Sequence, residues 1–157
     1  MTQNQASGDE LAPRYGVWLW ILLGFFIFRV SAQLIQANAA VSFLPPFSAW
    51  QSGLLPYPVL VVSQILIMVF YAKIALAFSQ RRIRPKARTG RLLHVLGSLY
   101  AASMVIRYII RMSLYPDQRW FGGCLPIFFH LILASFLLIW GTYHARFAST
   151  PVPEKEE

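Results

Sequence analysis

Four apolar blocks, each about the 20 residues needed to cross a hydrocarbon layer, constrain this chain more than any other feature. They fall at about 15–36, 57–78, 92–114 and 124–145, and carry runs such as WLWILLGFFIF, VLVVSQILIMVF and FFHLILASFLLIW. A 157-residue soluble domain has no interior large enough to take up all four. Apolar residues make up 57% of the chain and charged residues only 13%, against roughly 25% charged in soluble domains. The predicted fold is an all-α membrane protein, a bundle of four transmembrane helices. A polar segment at 1–14 precedes it, and a tail at 149–157 follows it, too polar and proline-rich to pack. Residues 1–14 carry Asp9 and Glu10 and lack the charged start of a cleavable signal, so the first block is expected to be retained.

Charge placement predicts orientation. Arg81, Arg82, Arg84, Lys86, Arg88 and Arg91 crowd the connection between the second and third blocks, six of fourteen basic residues. Short loops of that kind stay on the cytoplasmic side. An even number of spans then puts both termini in the cytoplasm, and the expected location is a bacterial inner membrane. The same clustering argues against nucleic acid as the partner of the +8 net charge. Tyr15, Trp18 and Trp20 at one end, and Trp50, Tyr57, Tyr115 and Trp120 at the other, suit the two interfaces. Between the first two blocks, NAAVSFLPPFSAWQSGLLPYP is apolar but broken by Pro45, Pro46, Gly53, Pro56 and Pro58. It is expected to lie on the outer face of the bundle as a Pro-rich interfacial loop, a cap or a lid.

Charged side chains inside spans are costly and usually functional. Arg29 lies in the first span, with Gln33 and Gln36 at i+4 and i+7 on one face. Arg107 and Arg111 form an i, i+4 pair in the third span, near Tyr100 and Ser103. Gln64 and His130 lie in the second and fourth. Helical rise puts Arg29, Gln64, Arg107 and His130 at one level in the outer half of the layer. The spans hold no Asp or Glu, and Asp117 is the nearest outer acid. Arginine keeps its charge, so these guanidiniums call for an anion: a phosphate or a carboxylate held by forked donors. The expected site is Arg29, Gln33, Gln64, Arg107, Arg111 and His130, binding an anionic lipid or acidic ligand. The expected role is accessory rather than catalytic.

Other readings stay open. The arginines could meet carboxylates of a homo-oligomer or a larger membrane complex. His130 could act as acid–base on a lipid or isoprenoid-linked phosphate. His94 and His144, near Gly97 and Gly141, could ligate haem b as a redox subunit, although no cofactor is the leading expectation. Lys73, about 9 Å from the cytoplasmic surface by rise, is expected to snorkel away from the site. The three histidines are too scattered for a metal site, and the lone Cys124 permits no internal disulfide. A purified preparation is expected to be colourless; a Soret band in its absorption spectrum would establish the haem reading instead.

Overall fold

The computed structural model describes residues 3–39, 41–50, 56–114 and 124–148. Tyr115, Asp117, Arg119, Trp120, the loop residue Gly53 and the tail at 149–157 fall outside them. The described chain is all helical: α1 (Gln3–Asn38), the short α2 (Phe47–Trp50), α3 (Tyr57–Ser79), α4 (Ala87–Leu114) and α5 (Cys124–Phe147). α1, α3, α4 and α5 are each long and apolar enough to cross a membrane.

α1 does not begin at the first apolar residue. It starts at Gln3 and runs through Pro13 as one helix of 36 residues. At 1.5 Å per residue that is about 54 Å, well beyond a hydrocarbon core of about 30 Å. The polar opening segment is thus the first turns of this helix, and tertiary contact holds it there. Ala12 is fully buried, and a Cβ on Gly8 would stand 3.0 Å from Phe147 Cβ. α4 likewise starts ahead of its apolar block, taking Arg88 and Arg91 into its first turns.

The helices stand in the order α3, α1, α5, α4: α3 packs on α1, α1 on α5, and α5 on α4. α3 and α4 follow one another in sequence yet share no backbone contact among the described residues. The core lies where α1, α3 and α5 meet, and holds Leu19, Leu23, Phe26, Tyr71, Phe78, Phe136 and Tyr143. Tyr71 stacks on Phe136 with ring centroids 3.9 Å apart, and Phe78 meets Tyr143 edge-on at 4.8 Å. Apolar side chains such as Phe28, Leu66, Leu99 and Ile109 face outward. Water would not accept that surface, and lipid does.

α4 packs by a different means. Its Gly90 and Gly97 lie against α5, and Gly141 of α5 lies against α4. A Cβ on Gly90 would stand 2.7 Å from the Ala145 backbone nitrogen, and one on Gly97 2.9 Å from Leu138. Small residues let two backbones approach where hydrophobicity supplies no drive between helices.

The N-terminal part of α1, the basic loop and the end of α5 share one end of the molecule. The Tyr143 hydroxyl is 3.4 Å from the carbonyls of both Gly8 and Ile83. α3 closes there with a Schellman motif: Arg82 N–H donates to Ala77 O and Arg81 N–H to Phe78 O. Arg81 takes the left-handed position, φ 55°, which glycine usually fills.

Gly90→Ala is expected to lower the thermal midpoint in detergent, since overpacking against backbone costs about 1–3 kcal/mol. Gly24 has open space where its Cβ would be, so Gly24→Ala should leave the midpoint unchanged or raise it. Equal effects at both positions would refute the glycine-packed α4–α5 interface.

Candidate functional site

Three of the expected site residues converge at the end opposite the basic loop. Arg29, Gln33 and Gln64 are 6%, 1% and 3% exposed. Helical periodicity puts Arg29 and Gln33 on the face of α1 that turns inward, and Gln64 comes from the adjacent α3. Gln64 Nε2 donates to Gln33 Oε1 at 3.2 Å. Gln36, one turn on, is half-buried and accepts a bond from the Val41 N–H at 3.0 Å, which closes the end of α1.

The connection after α1 folds over this cluster. Its short α2 ends in Trp50, whose carbonyl accepts a 3.0 Å bond from Arg29 Nη2. The Trp50 indole N–H donates to Pro45 O at 2.9 Å, and its ring lies near-parallel to that of Phe129, centroids 6.5 Å apart. The Arg29 guanidinium sits 5.6 Å from the centre of that same Phe129 ring, within cation–π range. Trp50 is 3% exposed. It is therefore not an interfacial anchor facing head groups, as its position in sequence suggests, but part of a small second core with Ala32, Phe129 and Ile132.

Among the described residues, three polar atoms of the cluster have no protein partner: Arg29 Nε, Gln33 Nε2 and Gln64 Oε1. Two are donors and one an acceptor. The described carboxylates, Asp9 and Glu10, lie 19 or more residues back along α1, about 28 Å by helical rise. Among the described residues, a permanent charge here rests on a carbonyl dipole and a ring face.

The remaining expected residues gather on α4 and α5. His130 Nδ1 and the Tyr100 hydroxyl are hydrogen-bonded at 2.8 Å, linking α5 to α4. Arg107 is half-buried two turns beyond Tyr100 on α4. Arg111 is half-buried near the end of α4. Lys73 is exposed on α3 while Gln64 is buried, so the lysine lies apart from the cluster. Sequence reasoning missed the Trp50 carbonyl and the Phe129 ring. A backbone acceptor leaves no residue-type signal, and a phenylalanine among many apolar neighbours carries none either.

His94 and His144 lie at the other end. His94 Nδ1 is 3.0 Å from Gly90 O, and its Nε2 3.2 Å from Thr142 Oγ1. His144 Nδ1 accepts from the Lys86 backbone N–H at 3.0 Å, and Nε2 from the Trp140 indole at 2.9 Å. A neutral imidazole has a lone pair on one nitrogen only, so those two donors compete for it. A haem iron would have to displace one of these bonds at each ring. In this arrangement His144 serves as a tether between the start of α4 and the end of α5.

By length and composition its four apolar helices make the chain a multi-pass membrane protein. No protein-family model, curated protein or solved structure matches it.

The Tyr100–His130 bond should be measurable as a coupling. In a double-mutant cycle of Tyr100→Phe and His130→Ala, an interaction of about 0.6 kcal/mol is expected, the average for such bonds inside membranes. Additive effects of the two changes would mean that the pair does not join α4 to α5.

Proposed function

We propose that this small integral membrane protein binds an anionic group, a lipid phosphate or a carboxylate, against Arg29 under the α2 cap. The role is accessory rather than catalytic. The basic loop and both termini face the cytoplasm, so the site lies in the outer half of the bilayer. One observation carries the reading: a buried guanidinium whose described protein partners are one backbone carbonyl and one aromatic face, with its Nε unbonded. A buried charge left so is costly. An oxyanion would take the Nε donor, and a second oxygen would take the amide N–H of Gln33. Forked donors of this kind match the planar spacing of two oxygens on one phosphorus or carbon. Gln64 orients Gln33 through their mutual bond, while Arg107, Arg111 and His130 add positive or proton-donating character toward α4.

A second reading is favoured by the same hydrogen bond. Arg29 reaches the Trp50 carbonyl and so holds the cap in place; on that account the arginine is structural glue between α1 and α2. The two accounts diverge on occupancy. Native mass spectrometry of the wild-type protein is expected to show one retained anionic lipid or small acid. Arg29→Gln should lower that occupancy about tenfold or more, the equivalent of one charge-assisted hydrogen bond. Wild-type protein without an adduct, together with an Arg29→Gln variant of lowered thermal midpoint, would leave only the glue account.

Orientation has its own test. In a Cys124→Ser background, a membrane-impermeant maleimide should label Ser52→Cys but not Arg84→Cys in intact cells. The reverse pattern would move the Arg29 site to the cytoplasmic half.

A further inference from the structure

At the basic-loop end, about 22 Å along α1 from Arg29 by helical rise, α1 and α5 part to leave a groove of about 420 Å³. One stripe of each helix lines it. α1 contributes Leu11, Arg14, Tyr15 and Trp18; α5 contributes Ile139, Thr142 and Arg146. On each stripe a large apolar residue, Trp18 on α1 and Ile139 on α5, lies one or two turns deeper than the arginine, and Leu11 flanks Arg14 on its outer side. The groove is therefore cationic at its mouth and apolar below, the profile of an amphiphile with a negative head.

Its cationic mouth is positioned by the protein. The Arg146 guanidinium lies 5.7 Å from the centre of the Phe147 ring. Phe147 is itself buried and packs edge-on against Tyr15 at 6.1 Å, which places Arg146 beside α1. Arg14 and Arg146 are both exposed, so their donors are open to a ligand. Glu10 stands one turn from Arg14, and Asp9 next to it. Among the described residues neither carboxylate forms an ion pair with Arg14 or Arg146. Trp18 is 59% exposed on the wall, at the level where indoles favour the head-group boundary. On the floor, Thr142 is engaged by His94 from α4, so the third helix braces that side.

We infer that this groove seats one anionic phospholipid of the leaflet on the basic-loop side, its phosphate bridged by Arg14 and Arg146 and its upper acyl chain lying along Trp18 and Ile139. The site is separate from the Arg29 cluster and does not depend on it. Each basic group near an anionic membrane surface contributes a modest attraction. Two of them converging on one phosphate from two helices add position to charge, and forked guanidiniums suit that oxyanion better than ammonium groups do.

The test is a lipid titration of the full chain in detergent, read by native mass spectrometry, with phosphatidylglycerol and phosphatidylcholine as probes. Wild-type protein is expected to retain phosphatidylglycerol over phosphatidylcholine. In an Arg29→Gln background, which removes the other proposed anion site, one retained phosphatidylglycerol should remain. Arg14→Gln with Arg146→Gln should weaken that retention about tenfold or more, in line with the loss of two basic contacts. Arg14→Lys with Arg146→Lys should recover part of it, which guards against a merely misfolded variant. Arg82→Gln with Arg84→Gln, in the adjacent loop, should have little effect. An equal loss from the loop pair would show a diffuse basic surface instead of a seat. Displacement of the lipid by millimolar inorganic phosphate would point to a small-anion site. Either outcome overturns the inference.

Discussion

A guanidinium that cannot shed its proton sits inside a bundle with almost nothing negative to meet it. This constraint organises the end of the molecule opposite the basic loop. Water cannot reach in from a hydrocarbon surround, so each buried donor must find protein or ligand. Arg29 finds the Trp50 carbonyl, and that bond requires α2 to fold down across the end of α1 instead of lying free. Once α2 is down, Trp50 has a place against Phe129, and Phe129 in turn offers its face to the guanidinium. Cap, charge and the first turns of α5 form one closed loop of contacts. Among the described residues the same closure leaves Arg29 Nε and the two glutamine atoms unmatched. A purely structural arginine would gain by having those groups paired.

α1 and α5 form the axis of the fold because each is contacted at both ends. At one end Tyr143 and Phe147 of α5 hold the extended start of α1; at the other, Phe129 and Trp50 join them through the cap. α3 adds to this core with large aromatic residues. Among the described residues α4 makes backbone contact with α5 alone, through glycines and the Tyr100–His130 and His94–Thr142 bonds. Helix association in lipid rests on packing and hydrogen bonds, and α4 directs all of its described backbone packing to one neighbour.

Hydropathy made the four spans legible because length and lack of charge suffice to mark them. The inward face of α1 was legible too, since Arg29, Gln33 and Gln36 repeat at helical spacing and polar groups turn away from lipid. The order of the helices was not. In water an apolar stripe marks the buried side of a helix, but here both lipid and core are apolar, so Leu99 facing lipid and Leu133 facing the core look alike. The helical start of α1 was also hidden: GDELAPRY reads as a polar tail, and what makes it helix is contact with Phe147 and Tyr143, more than 130 positions away. Trp50 misled for a related reason. A tryptophan near the end of a span usually marks an interface, and only the carbonyl bond to Arg29 explains why this one is buried.

The distribution of lysine and arginine separates tolerated charge from built charge. Lys73 lies within a span yet is exposed, where a flexible ammonium chain can reach toward the head groups. Arg29 takes the opposite course, buried at a depth from which its side chain has no short way out, with two glutamines alongside. A lysine there could become neutral; an arginine cannot. Holding a fixed charge at that depth is costly whenever nothing negative is present, and a bound anion would lower that cost. On the proposed reading, the difference between those two conditions would be the free energy available for binding, supplied as the ligand meets the Nε of Arg29 and the amide of Gln33, which have no partner among the described residues.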